Sequence, residues 1–409
     1  MSSDPAISGT SGLPDRRGLP ALEWLNFFLA DVQTGLGPFL AAYLAAAGWN
    51  PERVGLLLTL GGVITVVVQT PAGALVDRVH RKRAILAWGV AALVAGAALL
   101  LSGTHLAVVL AAQTLIGAAG PFLGPTLAAI TLGMVGARAF GFQFGRNQSF
   151  NAAGNVITAL LVAAVSRFYG IRAIFLVPIA LAVPTWMALA AIPPSRIDYA
   201  RSRGARTDGH VQVSAASAVF ADRVLLAFFV CAALFHLANA AMLPQLGEML
   251  SRHQTRSAAA FMSACIIVTQ LVITCTAPSV ARLASRFGRR PLLLAGFGVL
   301  PIRGVLYTLA VGIVPLIAIQ ILDGIANSIF GVVSIMVVAD RTRGTGRFNL
   351  IQGALATVIG IGAALSTTVG GALIQHFSYR ASFLGLAAIA LLAVAILWVA
   401  VPETRTAST

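Results

Sequence analysis

Stretches of about 20 mostly apolar residues recur from one end of this chain to the other, and about 20 is what an α-helix needs to cross the hydrocarbon core of a bilayer. Twelve such runs are legible, at 21–47, 53–76, 84–103, 106–132, 143–166, 173–192, 223–248, 257–281, 291–311, 313–338, 348–374 and 381–401. Composition matters here only as a check. With 58% hydrophobic and 10% charged residues, the chain has too few polar side chains to cover a soluble globule. The sequence therefore predicts an all-α integral membrane protein with 12 transmembrane helices.

The formal charge of +15 raises the question of nucleic acid, and the placement of the charges answers it. With the N-terminus in the cytoplasm, 21 of the 28 Lys and Arg residues fall on the cytoplasmic side and six outside. That asymmetry is the positive-inside pattern, so the basic excess reports orientation and contact with the anionic lipid bilayer, with no nucleic-acid partner. Both termini are expected in the cytoplasm, with the cell's inner membrane as the location. The polar, Pro/Gly-rich start lacks a secretion signal, and the first span is expected to be retained. Cys231, Cys265 and Cys275 fall inside spans without metal-like spacing and read as packing residues. No cofactor or metal is indicated.

The chain also repeats. "GALVDRVHRKR" at 73–83 aligns with "ARLASRFGRRP" 208 residues later, pairing Leu75 with Leu283, Arg78 with Arg286 and Arg81 with Arg289. The same offset pairs "RAIFL" at 172–176 with "RASFL" at 380–384. An offset of 207 pairs Gln113 and Gly117 with Gln320 and Gly324. Two pseudo-symmetric six-helix bundles follow: a tail at 1–20, a first bundle at 21–192, a basic linker at 193–222, a second bundle at 223–401 and a tail at 402–409. Parallel halves of this kind surround a central site near mid-membrane.

"GALVDRVHRKR", between spans two and three, closely resembles the GxLxDRxGRK signature of the major facilitator superfamily, the twelve-helix secondary transporters, and the resemblance extends over the whole chain. It implies that Asp77 binds the positive end of a neighbouring helix and a basic residue, locking the cytoplasmic side. Span eleven near Gly346 and Arg347 is the implied helix, Arg138 the candidate base, and Arg78, Arg81 and Lys82 complete the gating set. The plainer reading of the cluster is a solvated orientation loop, which leaves an acid among these bases unexplained. His80 stands where the family prefers Gly, and Ser285 replaces the acid in the second copy, so the latch is expected to be one-sided.

Polar groups inside spans are costly and face a cavity or a partner. Asn147, Gln148, Asn151 and Asn155 lie on span five, with the three asparagines on one face. Span ten carries Gln320, Asp323 and Asn327 at i, i+3 and i+7, and span seven His236 and Asn239. Span one carries Asp31 and Thr34, span four Gln113, span eight Gln270 and span eleven Gln352. These are the substrate-cavity candidates, with Asp31, His236 and Asp323 as proton-coupling candidates. The resemblance implies that spans 1, 4, 7 and 10 line the cavity. Each has a plainer reading: the amides can bond neighbouring helices, Asp31 can pack while protonated, and His236 can bond a backbone carbonyl. Asp323 and Arg303 lie at similar depth on adjacent spans, which predicts a buried ion pair.

The absence of GxxxxGK[ST], HExxH and GxSxG leaves neither an ATP-driven transporter nor a hydrolase supported, and the chain reads as no enzyme. The expected function is proton-coupled movement of a small polar or amphipathic organic solute by alternating access, as a monomer, with efflux favoured. Proton symport for uptake of a sugar, organic acid or siderophore-like solute is the alternative, and a non-transporting sensor or scaffold is the alternative of another class.

Overall fold

Several helices begin at a side chain that satisfies their free N–H groups. Asn50 accepts from Arg53 N at 2.8 Å with Pro51 in the first turn, and Asp222 accepts from Val224 N and Leu225 N at 2.9 and 3.3 Å. Ser378 accepts from Ala381 N at 3.1 Å. The computed structural model describes residues 18–34, 40, 43, 44, 46–205, 214–251 and 258–405, and no strand is present among them. In chain order, spans one to three are Leu19–Thr34, Pro51–Arg78 and Lys82–Ser102. Spans four and five lie within Leu106–Tyr169, before and after the break at Gly136, and span six is Leu176–Ala190. Span seven is Arg223–Asn239, continued by Met242–Ser251; spans eight and nine are Ala258–Phe287 and Arg289–Leu309. Span ten is Ile313–Ala318 followed by Gln320–Arg341, and spans eleven and twelve are Phe348–His376 and Tyr379–Ala400. The chain is a multi-pass, all-α membrane protein of two pseudo-symmetric six-helix bundles.

The predicted connection between spans four and five is very short: two helices meet at Gly136, whose φ of 68° and ψ of 174° break the helix and suit a residue without a Cβ. Arg138 and Arg146 therefore sit on helix. Span two also runs to Arg78, which puts Asp77 in its last turn rather than in a loop.

The 77–83 turn and the linker lie at one end of the bundle, the linker face; the opposite end is the far face. Toward the far face each half packs on itself, with Tyr43, Leu100 and Phe175 in one cluster and Phe261, Tyr307 and Phe383 in another. Toward the linker face a single cluster crosses the halves, joining Leu132, Phe140 and Phe144 to Phe330, Met336 and Phe348. Phe140 and Phe348 meet edge-to-face at 5.6 Å. In lipid such contacts hold by close packing, since leaving the lipid for a neighbouring helix gains little hydrophobic energy.

Small residues let the halves approach. A methyl at Gly73 of span two would overlap the carbonyl oxygen of Asn349, and one at Gly353 of span eleven would overlap that of Gln69. Span five meets span eight in the same way, Gly145 lying against Ala277 and Ala281. Thr70 and Thr357 hydroxyls bond across the first seam at 2.9 Å, and Ser149 donates to Thr274 O across the second. Among the described residues, no hydrogen bond joins the halves toward the far face.

Candidate functional site

Asp77 is 2% exposed, and its carboxylate bonds across the seam. Its Oδ1 accepts from Asn349 N at 3.1 Å and Asn349 Nδ2 at 2.8 Å, and its Oδ2 accepts from Leu350 N at 2.9 Å. Span eleven starts at Phe348, so these are first-turn N–H groups with no partner inside the helix. A carboxylate of one half thus caps a helix of the other. Of the predicted partners, Arg347 bonds Ser214 O at 3.0 Å instead. Arg138, Arg78 and Arg81 are exposed and are not among the groups bonded to Asp77. Lys82 is buried, donates to Val76 O and lies over the ring of Tyr199 at 5.2 Å.

In the first half, span five turns its amides toward spans one and four. Asn147 donates to Thr131 Oγ1 at 2.9 Å and accepts from Gln143 Nε2 at 3.1 Å. Asn151 donates to Asn26 O at 3.3 Å and accepts from Asn155 at 3.5 Å. Gln148 instead lies against Gly331 of the second half, and Gln113 against Gly61 of span two. The structure adds a residue that sequence reasoning missed. Glu23 of span one is 5% exposed, pairs with Arg146 at 2.8 Å and accepts from Gln143 Nε2 at 3.0 Å. Its signal was the Glu23/Asn26 spacing, which puts both on one face of span one.

In the second half, Arg303, 1% exposed, forms an ion pair with Asp323. Asp323 also accepts from Thr269 Oγ1 at 3.1 Å and Asn327 Nδ2 at 2.9 Å, so spans eight, nine and ten meet on one carboxylate. Arg303 further reaches Met242 Sδ at 3.3 Å. Gln320 donates to Tyr307 OH at 2.9 Å. His236 Nδ1 lies 3.1 Å from Ala232 O on its own helix, and its ring meets Phe330 edge-on at 4.7 Å. Asn239 Oδ1 and Gln352 Oε1 are buried without a hydrogen-bond partner, and Gln270 is half-buried. Such unpaired acceptors are open to a donor from water or solute.

The side chains of Asp31 and Thr34 lie outside the described residues. Among the described residues, no group of three or more His, Cys, Asp or Glu side chains is placed to hold a metal ion. Each half holds an acid–arginine pair, buried for Arg303 and Asp323 and half-exposed at Arg146 for Glu23, and a carboxylate contact joins the halves at the linker face.

Comparison with known proteins gives a consistent picture. The family model described as Major Facilitator Superfamily matches residues 24–274 and 229–409. An uncharacterised MFS-type transporter of Mycobacterium tuberculosis is 42% identical over 405 residues, covering 97% of this chain and 96% of the relative. The multidrug resistance protein MdtG of Escherichia coli is 29% identical over 163 residues, 38% of this chain and 39% of its own. Among solved structures, the transporter FucP in its outward conformation superposes with a TM-score of 0.73 at 17% identity, covering 93% of this chain and 99% of that one.

Proposed function

Because the chain belongs to the major facilitator superfamily, we propose that it is a secondary active transporter that exports a small polar or amphipathic organic solute in exchange for protons, by alternating access and as a monomer. One observation carries the reading: Asp77 of one half caps span eleven of the other, at the face where, among the described residues, a shared apolar cluster joins the halves. A carboxylate at a helix N-terminus contributes about 0.3–2 kcal/mol, enough to bias two states and small enough to be undone. The charge asymmetry makes the linker face cytoplasmic. On this reading the halves are closed inward and parted outward, one of the two states that alternating access requires.

Proton coupling is assigned to Asp31, Asp323 and His236, the titratable candidates within the spans. Gln148, Asn151, Asn155, Asn239, Gln270, Asn327 and Gln352 supply hydrogen bonds for a polar solute. The partial likeness to a multidrug resistance protein favours export. Liposomes with an acidic lumen, carrying the purified protein, should accumulate at least one of a panel of amphipathic dyes and lose it when an ionophore collapses the gradient. Accumulation indifferent to the gradient would remove the proton from the reading. No counterflow for any dye, sugar or organic acid would leave the sensor or scaffold.

A further inference from the structure

The sequence marks the linker only as basic, and residues 198–205 of it are seated inside the closed face. Asp198 starts the short helix Tyr199–Ser202, its side chain accepting from Arg201 N at 2.9 Å. Asp198 N donates to Gly133 O at the end of span four, at 3.2 Å. From this anchor the segment touches both sides of the gate.

Toward the first half, Tyr199 OH donates to the carbonyls of Asp77 at 3.2 Å and Arg78 at 3.1 Å. These are last-turn carbonyls of span two, without helical partners. The ring stacks on His80 at 3.6 Å, with the Arg203 guanidinium 4.6 Å from its centre. Toward the second half, Ser202 O accepts from Asn349 Nδ2 at 3.0 Å, the same nitrogen that reaches Asp77. Arg203 O accepts from Phe348 N at 3.1 Å and Gly204 O from Gly344 N at 2.6 Å. Ala205 forms an isolated bridge with Thr345.

We propose that residues 198–205 are a working part of the gate, in which Tyr199 positions the end of span two, Ser202 and Arg203 position the start of span eleven, and the whole segment must leave its seat when the linker face opens. The Asp77 carboxylate does not hold its own backbone carbonyl, which the segment does, and the segment shares the Asn349 amide with Asp77. Tyr199 is thus a positioning residue. Span two and span eleven cannot separate while one short segment is bonded to both.

The inference rests on the alternating-access reading, and the test separates the two. Cys231, Cys265 and Cys275 are first replaced by Ser. Spin labels on a genetically encoded ketone amino acid at Leu106 and Val311, exposed at the far face of either half, then report the two states in lipid nanodiscs. Ala205→Cys with Thr345→Cys places two thiols at bridge partners, within the Cα spacing a disulfide accepts. Oxidation should collapse the distances to the one state with the linker face closed, and reductant should restore both. Tyr199→Phe, which loses only the hydroxyl, should raise the open-linker population roughly 3- to 10-fold, as loss of a net hydrogen bond does. Tyr199→Ala should raise it further. Two populations persisting in the oxidised pair, or a pair that will not oxidise, or Tyr199→Ala matching the parent, each overturns the inference. A parent with one distance under all conditions fails the alternating-access reading itself, and the inference falls with it.

Discussion

Asp77 and Asn349 meet through two bonds on one oxygen: Asp77 Oδ1 accepts both the backbone N–H of Asn349 at 3.1 Å and its side-chain amide at 2.8 Å. The same acid takes Leu350 N on its other oxygen, so its charge and both its acceptor atoms are used across the seam.

Asp77→Asn keeps the shape and removes the charge. A loss of about 1–2 kcal/mol, the upper range for a helix-terminus contact, moves the equilibrium roughly 5- to 30-fold toward an open linker face. Cysteine probes at the linker-face end of span five should become more reactive. Ser285→Ala, at the repeat position, should change little, because Ser285 Oγ donates only within its own helix, to Ala281 O at 2.9 Å. Equal labelling of Asp77→Asn and the parent would remove the gate.

Gly353→Ala tests the seam without touching charge. Its methyl has no room against the Gln69 carbonyl, whereas Gly371 has nothing within 4 Å of the same position. Gly353→Ala should therefore part spans two and eleven and favour the open linker face, while Gly371→Ala behaves as the parent in the same spin-label distances. An unchanged distance distribution for Gly353→Ala counts against a seam set by close backbone approach.

Arg303 and Asp323 stand or fall together. Arg303→Met alone leaves a buried carboxylate unpaired and should lower stability by about 3–5 kcal/mol. Adding Asp323→Asn should recover much of that loss, read as the melting temperature by fluorescence-detected gel filtration. A single variant as stable as the double would show that the charges are not coupled.

Asp31→Asn separates coupling from movement. If Asp31 carries the proton, the variant should lose pH-driven transport yet keep counterflow, because the amide retains the shape and cannot titrate. Parent-level pH-driven flux in the variant excludes the role.

Glu403 gives a pH signature at the linker face. Burial pushes its carboxyl upward, but backbone N–H groups of Arg289, Arg405 and Arg290 and the charge of Arg289 outweigh it and hold it below the usual range. A carboxyl lowered on folding stabilises at neutral pH and loses that contribution as pH falls through its folded value. Glu403→Gln should therefore melt below the parent at pH 7, and the gap should close as the pH falls through the carboxyl's folded value, which lies below the ordinary range. A gap that widens on acidification reverses the sign and sinks the assignment.

The span count and the repeat were legible because apolar length and the spacing of charged turns are local. Asp77 was legible for a similar reason, as an acid in a basic cluster. Its partners were not: span eleven begins at Phe348, so the capped groups belong to Asn349 and Leu350 rather than to the residues just before the helix. Glu23 escaped because an acid four residues into a span looks solvated by headgroups, and only Gln143 and Arg146, more than a hundred residues away, bury it. The seat of residues 198–205 was hidden by length, since a four-residue helix has no periodicity to detect.

The seam between spans two and eleven carries a last consequence. At Gly73 and Gly353 the seam closes main chain on main chain, with no side chain standing between the two helices at those positions. A stopper leaves gaps around its edges, and a gap wide enough for a file of water molecules also conducts protons. Bare backbone leaves no such channel, because a water needs roughly 10–15 Å³ of free volume and polar partners to settle. On the proposed alternating-access reading, these glycines would help to keep the closed face tight to protons.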